Sequence, residues 1–237
     1  RHDLVVARVI AHNQLRAHLL TAFPGAVGLF HRLDSKISLR FLARFPTPRH
    51  ARWLSDKRLA AWLTAARYTR PTTRTPAQLM THLRQAPPGL PDGPATDAAE
   101  AVTVEMVALL SSLRERITAL ETHIERAVAA HADAPVVTSL PRSGTALAAT
   151  LLAEIADARA RFPTDDALAA AAGVAPSTRA SGRSRNVVFR RGCNNRLRQA
   201  VVDFADDSRH AHPWAQAVYA RARARGARHP HAVRVLA

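Results

Sequence analysis

Apolar residues recur every three or four positions along the first part of the chain, which is the spacing of one face of an amphipathic helix. The positions that follow this spacing are Leu4, Val5, Val9, Leu15, Leu19 and Leu20. They predict a helix from Asp3 to Phe23, which Pro24 and Gly25 end because both residues break helices. The opposite face carries Arg1, Arg8, His12, Arg16 and His18. Such a face can contact the phosphate backbone of a nucleic acid or can simply be exposed to solvent, and the pattern alone favours exposure to solvent.

Residues that cap helix starts predict three further helices in residues 1–86. These starts are Ser35, Ser55 and Thr75 with Pro76, and the last helix runs to about Gln85. Their hydroxyl groups can accept hydrogen bonds from the free amides of a first turn, and proline suits the first helical position. Trp53 and Trp62 stand among aliphatic residues, so both are predicted to be core anchors rather than platforms for stacked bases.

Residues 87–94 are predicted to be a linker because proline and glycine dominate them. Beyond this segment the apolar positions are alternately four and three residues apart, which is the pattern of a coiled-coil seam. The seam consists of Met106, Leu110, Leu113, Ile117, Leu120, Ile124 and Ala127. We therefore predict a coiled-coil helix over residues 97–132. Its seam would pack either on another copy of the chain, by self-association through residues 106–127, or inside its own chain against the N-terminal helix.

Residues 138–237 are predicted to form a helical C-terminal domain. Thr164 or Asp165 would cap a short alanine-rich helix that ends at Gly173, a second helix covers about 195–208, and Pro213 starts a last one. The apolar run 187–189 is the candidate for a short strand. The fold class is therefore mainly α: a helical N-terminal region, a long coiled-coil helix and a helical C-terminal domain with at most a short strand or hairpin.

One short segment of that domain has a pattern used by DNA-binding turns. Residues 140–148 follow the form Leu-Pro-x-x-Gly-x-x-x-Ala of helix-hairpin-helix turns, although Arg142 replaces the more common glycine. In such a turn Gly144 would lead into a helix start whose free amides accept a phosphate without reading base sequence. The alternative is an ordinary helix start.

The charge of the chain narrows the class of partner. The formal net charge is +16 and the sequence pI is about 11.7, which points to a polyanion such as nucleic acid or an acidic membrane surface. Lysine occurs only twice, so a bias in codon usage contributes to the arginine content, but such a bias does not explain the scarcity of acids. No apolar run is long enough to span a bilayer. A single cysteine, Cys193, excludes an internal disulfide and a multi-cysteine zinc site.

The charge is most concentrated around Ser181. Between Ala167 and Val202 there is no acidic residue, whereas seven arginines occur there: Arg179, Arg183, Arg185, Arg190, Arg191, Arg196 and Arg198. Guanidinium groups around a hydroxyl suit either holding a phosphate or attacking it, because they bind its oxygens and stabilise developing charge. Arg196 and Arg198 also fall in the first turn of a predicted helix, where positive charge opposes the helix dipole, so we expect an anion there.

These candidate residues also have interpretations that involve no catalysis and no metal binding. Serine before glycine often bonds to its own backbone in a turn, and composition alone favours that role for Ser181. The pairs His210/His212 and His229/His231 have no nearby acid or cysteine to complete a zinc site, so we predict no metal in this chain. The scattered acids suit helix ends better than a two-metal site.

Several segments together resemble the C-terminal transposase domain of the IS110-type family of insertion-sequence transposases. In the C-terminal half the resemblance lies in residues 139–144, 152–155, 161–163, 173–176, 181–182, 196–198 and 222–226, and near the N-terminus in residues 13–16 and 23–26. The resemblance implies a recombinase that moves DNA, in some members with a guide RNA made by the element. It also implies multimers on paired DNA ends, which favours self-association of the predicted coiled coil.

The resemblance assigns a role to one residue of this chain. In the family, a ribonuclease-H-like domain with metal-binding acids is paired with a serine that is taken to bond to the DNA phosphate, and Ser181 matches that serine. The chain begins with Arg1 and ends in a helical pattern, so we expect a fragment that lacks the acidic domain, for which Mg²⁺ is expected. Residues 1–86 would then be a residual linker to that domain. We expect a cytoplasmic protein at the bacterial nucleoid that binds DNA and is inactive by itself. The alternative is a non-catalytic, dimeric nucleic-acid-binding protein with the same basic surface.

Overall fold

The structure is a computed structural model that describes residues 1–68, 74–155 and 159–237. Within these ranges the elements are helices and one antiparallel two-stranded ribbon, so the mainly α prediction is confirmed. The chain divides into two compact units, Arg1–Leu120 and Glu121–Ala237. None of the described helices combines the length and the apolar character needed to cross a membrane.

The first unit consists of helices whose starts follow the capping residues. Its elements are α1 (His2–Ala22), a 3-10 turn (Pro24–Ala26), α2 (Lys36–Arg44), α3 (Pro48–Ala51), α4 (Asp56–Ala65), α5 (Pro76–Gln85) and most of α6 (Pro94–Ala130). Ser35, Ser55 and Thr75 each accept a hydrogen bond from the amide three residues further on, as predicted. The short helix α3 was not predicted, because one helical turn carries no periodic signal.

Aromatic rings form the centre of the first unit. Phe41 is 1% exposed and packs its ring against those of Phe23, Phe30, Phe45 and Trp62. Trp62 is therefore a core anchor, as predicted. The same prediction was wrong for Trp53.

Trp53 is 56% exposed, and the guanidinium carbon of Arg58 lies 4.5 Å from its ring centre. Arg58 also donates to the carbonyl of Trp53. A stacked cation gives the indole a partner outside the core, which aliphatic neighbours in sequence did not reveal.

The first part of the α6 seam packs inside its own chain. Leu110 is fully buried and shares one apolar cluster with Leu15 and Leu19 of α1. His18 supports the same contact, since its Nε2 lies 3.2 Å from the carbonyl oxygen of Ala99 and 2.9 Å from Thr103 Oγ1. Own-chain packing is thus observed for this part of the seam, and self-association through residues 106–127 stays a prediction.

The segment predicted to be a linker is packed against the end of α1. The amide of Leu90 donates to the carbonyl of Ala22, and a Cβ at Gly89 would fall inside van der Waals contact of that carbonyl. Only a glycine allows this approach. The three-part division into residues 1–86, 97–132 and 138–237 stays a prediction.

Asp34 is a buried carboxylate that joins several parts of the first unit. It is 4% exposed, and both oxygens accept hydrogen bonds from Arg32 at 3.1 Å. Arg8 of α1 lies 3.6 Å away, and Arg114 of α6 donates to the Asp34 carbonyl. Burial alone raises the pKa of this carboxyl, but the hydrogen bonds and charge of Arg32, with Arg8 and His12, outweigh it and lower the pKa.

The second unit begins inside α6. It continues through α7 (Ala134–Thr138), α8 (Thr145–Ile155), a 3-10 turn (Arg159–Arg161), α9 (Asp165–Ala172), β1 (Ser177–Ser181), β2 (Ser184–Val188), α10 (Asn195–Ser208), α11 (Pro213–Ala224) and α12 (His229–Leu236). Its core contains small residues, since Ala148, Ala172 and Ala200 pack with Leu151 and Leu197. Small side chains let α8, α9 and α10 approach closely. The helices at 165–172, 195–208 and from Pro213 confirm the sequence pattern, and α12 follows the helix that was predicted to be last.

We expect Leu15→Ala to lower the free energy of unfolding by about 2–5 kcal/mol, because it removes a fully buried side chain and leaves a cavity. Leu20→Ala is the matched control on the same helix. Leu20 is 51% exposed, so its loss should cost less than about 0.5 kcal/mol. Urea unfolding followed by circular dichroism measures both values. Equal losses would show that the α1 face is assigned wrongly.

Asp34→Asn should lower the free energy of unfolding by about 1–3 kcal/mol at neutral pH, because charged hydrogen bonds are lost. A carboxyl whose pKa is lowered by folding stabilises the protein above its unfolded pKa of about 3.9, and the stabilisation is lost as pH falls through the folded pKa. The difference between the two proteins should therefore shrink below pH about 4. Asp92→Asn, at an exposed pair with Arg52, should change little at either pH. A difference independent of pH would contradict this role.

Candidate nucleic-acid interface

The segment around Ser181 is held at one end by the C-terminus of α9. Thr164 caps the start of α9 by accepting from the amide of Ala167, and Gly173 ends the helix with a φ of +67°. A Cβ at Gly173 would also fall inside contact of Arg198 and Cys193. Glycine is therefore required both by the left-handed backbone and by the close approach of the following chain.

Ser181 lies at the tip of a β-hairpin, beside its turn. Strands β1 and β2 pair antiparallel from Ser177 opposite Val188 to Ser181 opposite Ser184, and Gly182 and Arg183 form the turn. The φ of Gly182 is +53°, whereas Arg183 has no positive φ. This combination is that of a type II′ turn, whose first central position favours glycine and whose twist matches that of the strands. We call residues 177–188 the arginine ribbon.

The arginine ribbon has no face buried in a core. All of residues 178–187 are exposed, including Val187 at 65%. A two-stranded hairpin without a packed face is only marginally stable in water. Its side chains, among them the hydroxyl of Ser181, are therefore available to a partner molecule.

The register between β1 and β2 places the predicted arginines of the ribbon at different positions: on one face, on the other face, or in the turn. Because side chains alternate along a strand and directly opposite residues share a face, Arg179 and Ser181 lie on the same face as Ser184 and Asn186. Arg185 lies on the other face, and Arg183 is in the turn. Only Arg179 thus shares a face with the Ser181 hydroxyl.

Two more predicted arginines lie at the base of the ribbon. Arg198 donates to the carbonyl oxygens of Ala172 and Arg190, and its guanidinium carbon lies 4.5 Å from the ring centre of Phe189. Ser181 is four residues further along the ribbon than Ser177, or about 13 Å from the base at about 3.3 Å per residue. The Nε of Arg190 is buried without a hydrogen-bond partner in the described chain. Arg198 therefore acts as a brace, and it is separated from Ser181 by the length of the ribbon.

Arg234 of α12 is a contact that sequence reasoning did not find. Its guanidinium carbon lies 5.1 Å from the centre of the same Phe189 ring. Arg191, by contrast, is exposed just beyond β2. No local pattern indicated that a residue so late in the chain returns to the ribbon base.

Two backbone amides in the first turn of α10 are hydrogen-bonded by a side chain of the same chain. Asn194 accepts from the amides of Arg196 and Leu197 at 3.0 and 3.1 Å, and its side-chain amide donates to Glu154 at 2.6 Å. The sequence led us to expect an external anion here, and the structure places the Glu154 carboxylate beside the capping residue. Asparagine directly before a helical pattern was a usable signal for the cap, whereas nothing indicated Glu154.

Arg142 and Gly144 lie in the turn between α7 and α8. Arg142 has a φ of +60°, so the position that is commonly glycine in helix-hairpin-helix turns is left-handed here too. Its side chain is exposed and makes no hydrogen bond or ion pair with the residues that the structure describes. Gly144 is exposed, and its carbonyl accepts from Leu147 and Ala148 at the start of α8. The helix-hairpin-helix assignment stays a prediction.

One histidine and one acid of this unit make local side-chain contacts. His229 Nδ1 lies 3.0 Å from the Tyr219 hydroxyl, and Asp206 accepts from Arg209 at 2.7 Å. The hydrogen bond from Arg209 lowers the pKa of Asp206. Among the described residues no group of three or more histidines, cysteines or acids is arranged to hold a metal ion.

Comparison with known proteins agrees with the resemblance seen in the sequence. Residues 134–220 match the model described as the Transposase IS116/IS110/IS902 family, which covers α7 to most of α11. All of the chain is 34% identical to the "Mini-circle putative transposase for IS117" of Streptomyces coelicolor, and it covers 58% of that relative. No solved structure matches the chain.

Two insertion-element proteins align over similar spans. The "Insertion element IS110 uncharacterized 43.6 kDa protein" of Streptomyces coelicolor is 32% identical over 99% of this chain and 57% of its own length. The "Insertion element IS900 uncharacterized 42 kDa protein" of Mycobacterium paratuberculosis is 30% identical over 100% of this chain and 59% of its own length. The chain thus spans less than two thirds of each relative. The chain is thus similar along its length to these insertion-element proteins, and its residues 134–220 match the IS116/IS110/IS902 transposase family.

Proposed function

We propose that this chain takes part in DNA transposition as part of an insertion-sequence transposase, and that the arginine ribbon binds the DNA backbone. The observation that supports this proposal is that the hairpin is exposed and carries Arg179, Arg183 and Arg185 but no acidic residue. Guanidinium groups bind phosphate oxygens through paired donors at any pH in a cell. An unpacked ribbon also gains the most from a partner, because it has little to hold it otherwise. The proposed location is the cytoplasm, at the nucleoid.

We also propose that Ser181 is the nucleophile of that reaction. The Ser181 hydroxyl would lose its proton to solvent as its oxygen forms a bond to phosphorus. The bridging P–O bond of the strand would break, and the departing oxygen would take up a proton from solvent. The exposed tip supports this role, because a hydroxyl there can reach a strand without moving core residues. Arg179, on the same face, would bind a non-bridging oxygen and stabilise its charge. Mg²⁺ is proposed only for an acidic domain such as the family pairs with this one, and no step is routed through it here.

A non-catalytic role is the second candidate, and one observation favours it. The Ser181 side chain makes no hydrogen bond to any residue of the described chain, so no group in these ranges is placed as its base. In that case the arginine ribbon would bind DNA or a guide RNA without cutting it. Self-association through residues 106–127 belongs to both proposals.

Joined to an intact ribonuclease-H-like domain, Ser181→Ala should reduce strand cleavage by at least about a thousandfold while DNA affinity changes less than about twofold. The matched control is Ser184→Ala, which removes the hydroxyl directly opposite on the same face. Cleavage assays on labelled DNA and binding titrations give both values. Normal cleavage by the Ser181 variant would leave only the non-catalytic role.

Replacing Arg179, Arg183 and Arg185 together with alanine should reduce the slope of log affinity against log salt by about 2–3, because each lost phosphate contact removes about 0.9. The control replaces Lys36, Arg44 and Lys57, three exposed cations of the first unit, with alanine. It removes the same charge and should reduce the slope by less than about 1. Fluorescence anisotropy with labelled duplex DNA measures the slopes. Equal slopes in both variants would place the DNA surface away from the ribbon.

A further inference from the structure

A cleft in the first unit collects cationic side chains from two separate segments. Arg8, His12 and Arg16 are each four residues apart on α1 and therefore share one face. This face lines a cavity of about 460 Å³ together with residues 27–28 and 30–34. We call this cavity the α1 cleft. The sequence identified the basic face of α1, and the fold now gives it an opposite wall.

The α1 cleft carries more positive than negative charge. Its lining contains three guanidinium groups, those of Arg8, Arg16 and Arg32, and one carboxylate, that of Asp34. Arg32 occupies both oxygens of Asp34, and Arg8 is only within ion-pair distance at 3.6 Å. Arg16 makes no hydrogen bond or ion pair with any residue of the described chain. Because the guanidinium groups of the cleft outnumber its one carboxylate, the cleft favours the binding of an anion.

Two of the residues that line the α1 cleft each have a buried polar atom without a partner. Arg8 Nε and His12 Nδ1 are buried and make no hydrogen bond within the described ranges. Buried polar groups are nearly always paired, because leaving one unpaired is costly. Both residues belong to the face of α1 that lines the cavity. A ligand with several acceptor oxygens would satisfy donors on this wall.

The opposite wall is held in place by three other parts of the first unit. His82 of α5 lies 3.1 Å from the carbonyl oxygen of Val27, and Arg74 donates to the carbonyl of Gly28 at 2.8 Å. Arg114 of α6 donates to the carbonyl of Asp34 at 2.8 Å. The wall therefore needs little rearrangement when a ligand binds, which favours affinity.

We propose that the α1 cleft binds a phosphate group of a nucleic-acid strand. Phosphate offers acceptor oxygens and negative charge to the guanidinium groups of Arg8 and Arg16. The volume is in the range of sites for small ligand groups, and the cleft opens on the surface, so a strand can place one phosphate in it and continue outside. This proposal rests on the nucleic-acid partner proposed above, but on no residue of the arginine ribbon.

The first test titrates the whole chain with inorganic phosphate and follows the NMR signals of His12 and of the Gly28 amide. We expect saturable shifts at both. Arg16→Ala should weaken the affinity about threefold to tenfold, and it removes an exposed side chain without a structural partner. Lys57→Ala, an exposed cation outside the cleft, should change it less than about 1.5-fold. Absent shifts, or equal weakening by both variants, would overturn the proposal.

The second test adds a short duplex DNA or an RNA hairpin to the phosphate-loaded protein. Displacement of phosphate from the His12 signal by either nucleic acid supports a strand as the source, and the more effective one identifies its type. If phosphate binds but neither nucleic acid displaces it, the proposal that the cleft binds a phosphate of a nucleic-acid strand is wrong. The variant without Arg179, Arg183 and Arg185 separates the two sites. Displacement that persists in this variant supports the α1 cleft even if the arginine ribbon binds no DNA.

Discussion

Arg198 donates to the carbonyls that end α9 and follow β2, and its guanidinium lies over the ring of Phe189. The arginine ribbon depends on this brace, because its ten exposed central residues contribute no core packing. Gly173 makes the brace possible, since any side chain there would collide with Arg198 and Cys193. A basic residue that sequence reasoning expected beside a phosphate is thus one of the residues that hold the surface in place.

Three acids of the chain make internal contacts that hold the structure. Asp34 holds Arg32 and Arg8 in the first unit, Glu154 holds the cap of α10, and Asp206 holds Arg209. None of them falls in the stretch between Ala167 and Val202. The positive charge of the arginine ribbon is therefore not neutralised by acids of its own stretch, which is the condition for binding a polyanion.

The two proposed sites differ in how they are built. The arginine ribbon presents cations on an exposed hairpin that can adapt to a partner, whereas the α1 cleft has a wall fixed by hydrogen bonds from α5, α6 and Arg74. A fixed wall suits a single phosphate at a defined position, and an exposed hairpin suits contact along a backbone. Each site can be altered without touching the other.

The sequence by itself determined the helices that begin after Ser35, Ser55, Thr75 and Thr164, because caps and periodic apolar positions are local properties of the chain. It also determined the concentration of arginine around Ser181 and the family resemblance. Tertiary structure alone decided that Trp53 is exposed, that the first part of the α6 seam packs on α1, and that Arg179 but not Arg185 shares a face with Ser181. Asn194 with Glu154 and Leu15 with Leu110 are far apart along the chain, so no local pattern carries these contacts. Strand register and the stacking of Arg58 on Trp53 are short-range, but apolar periodicity does not encode them.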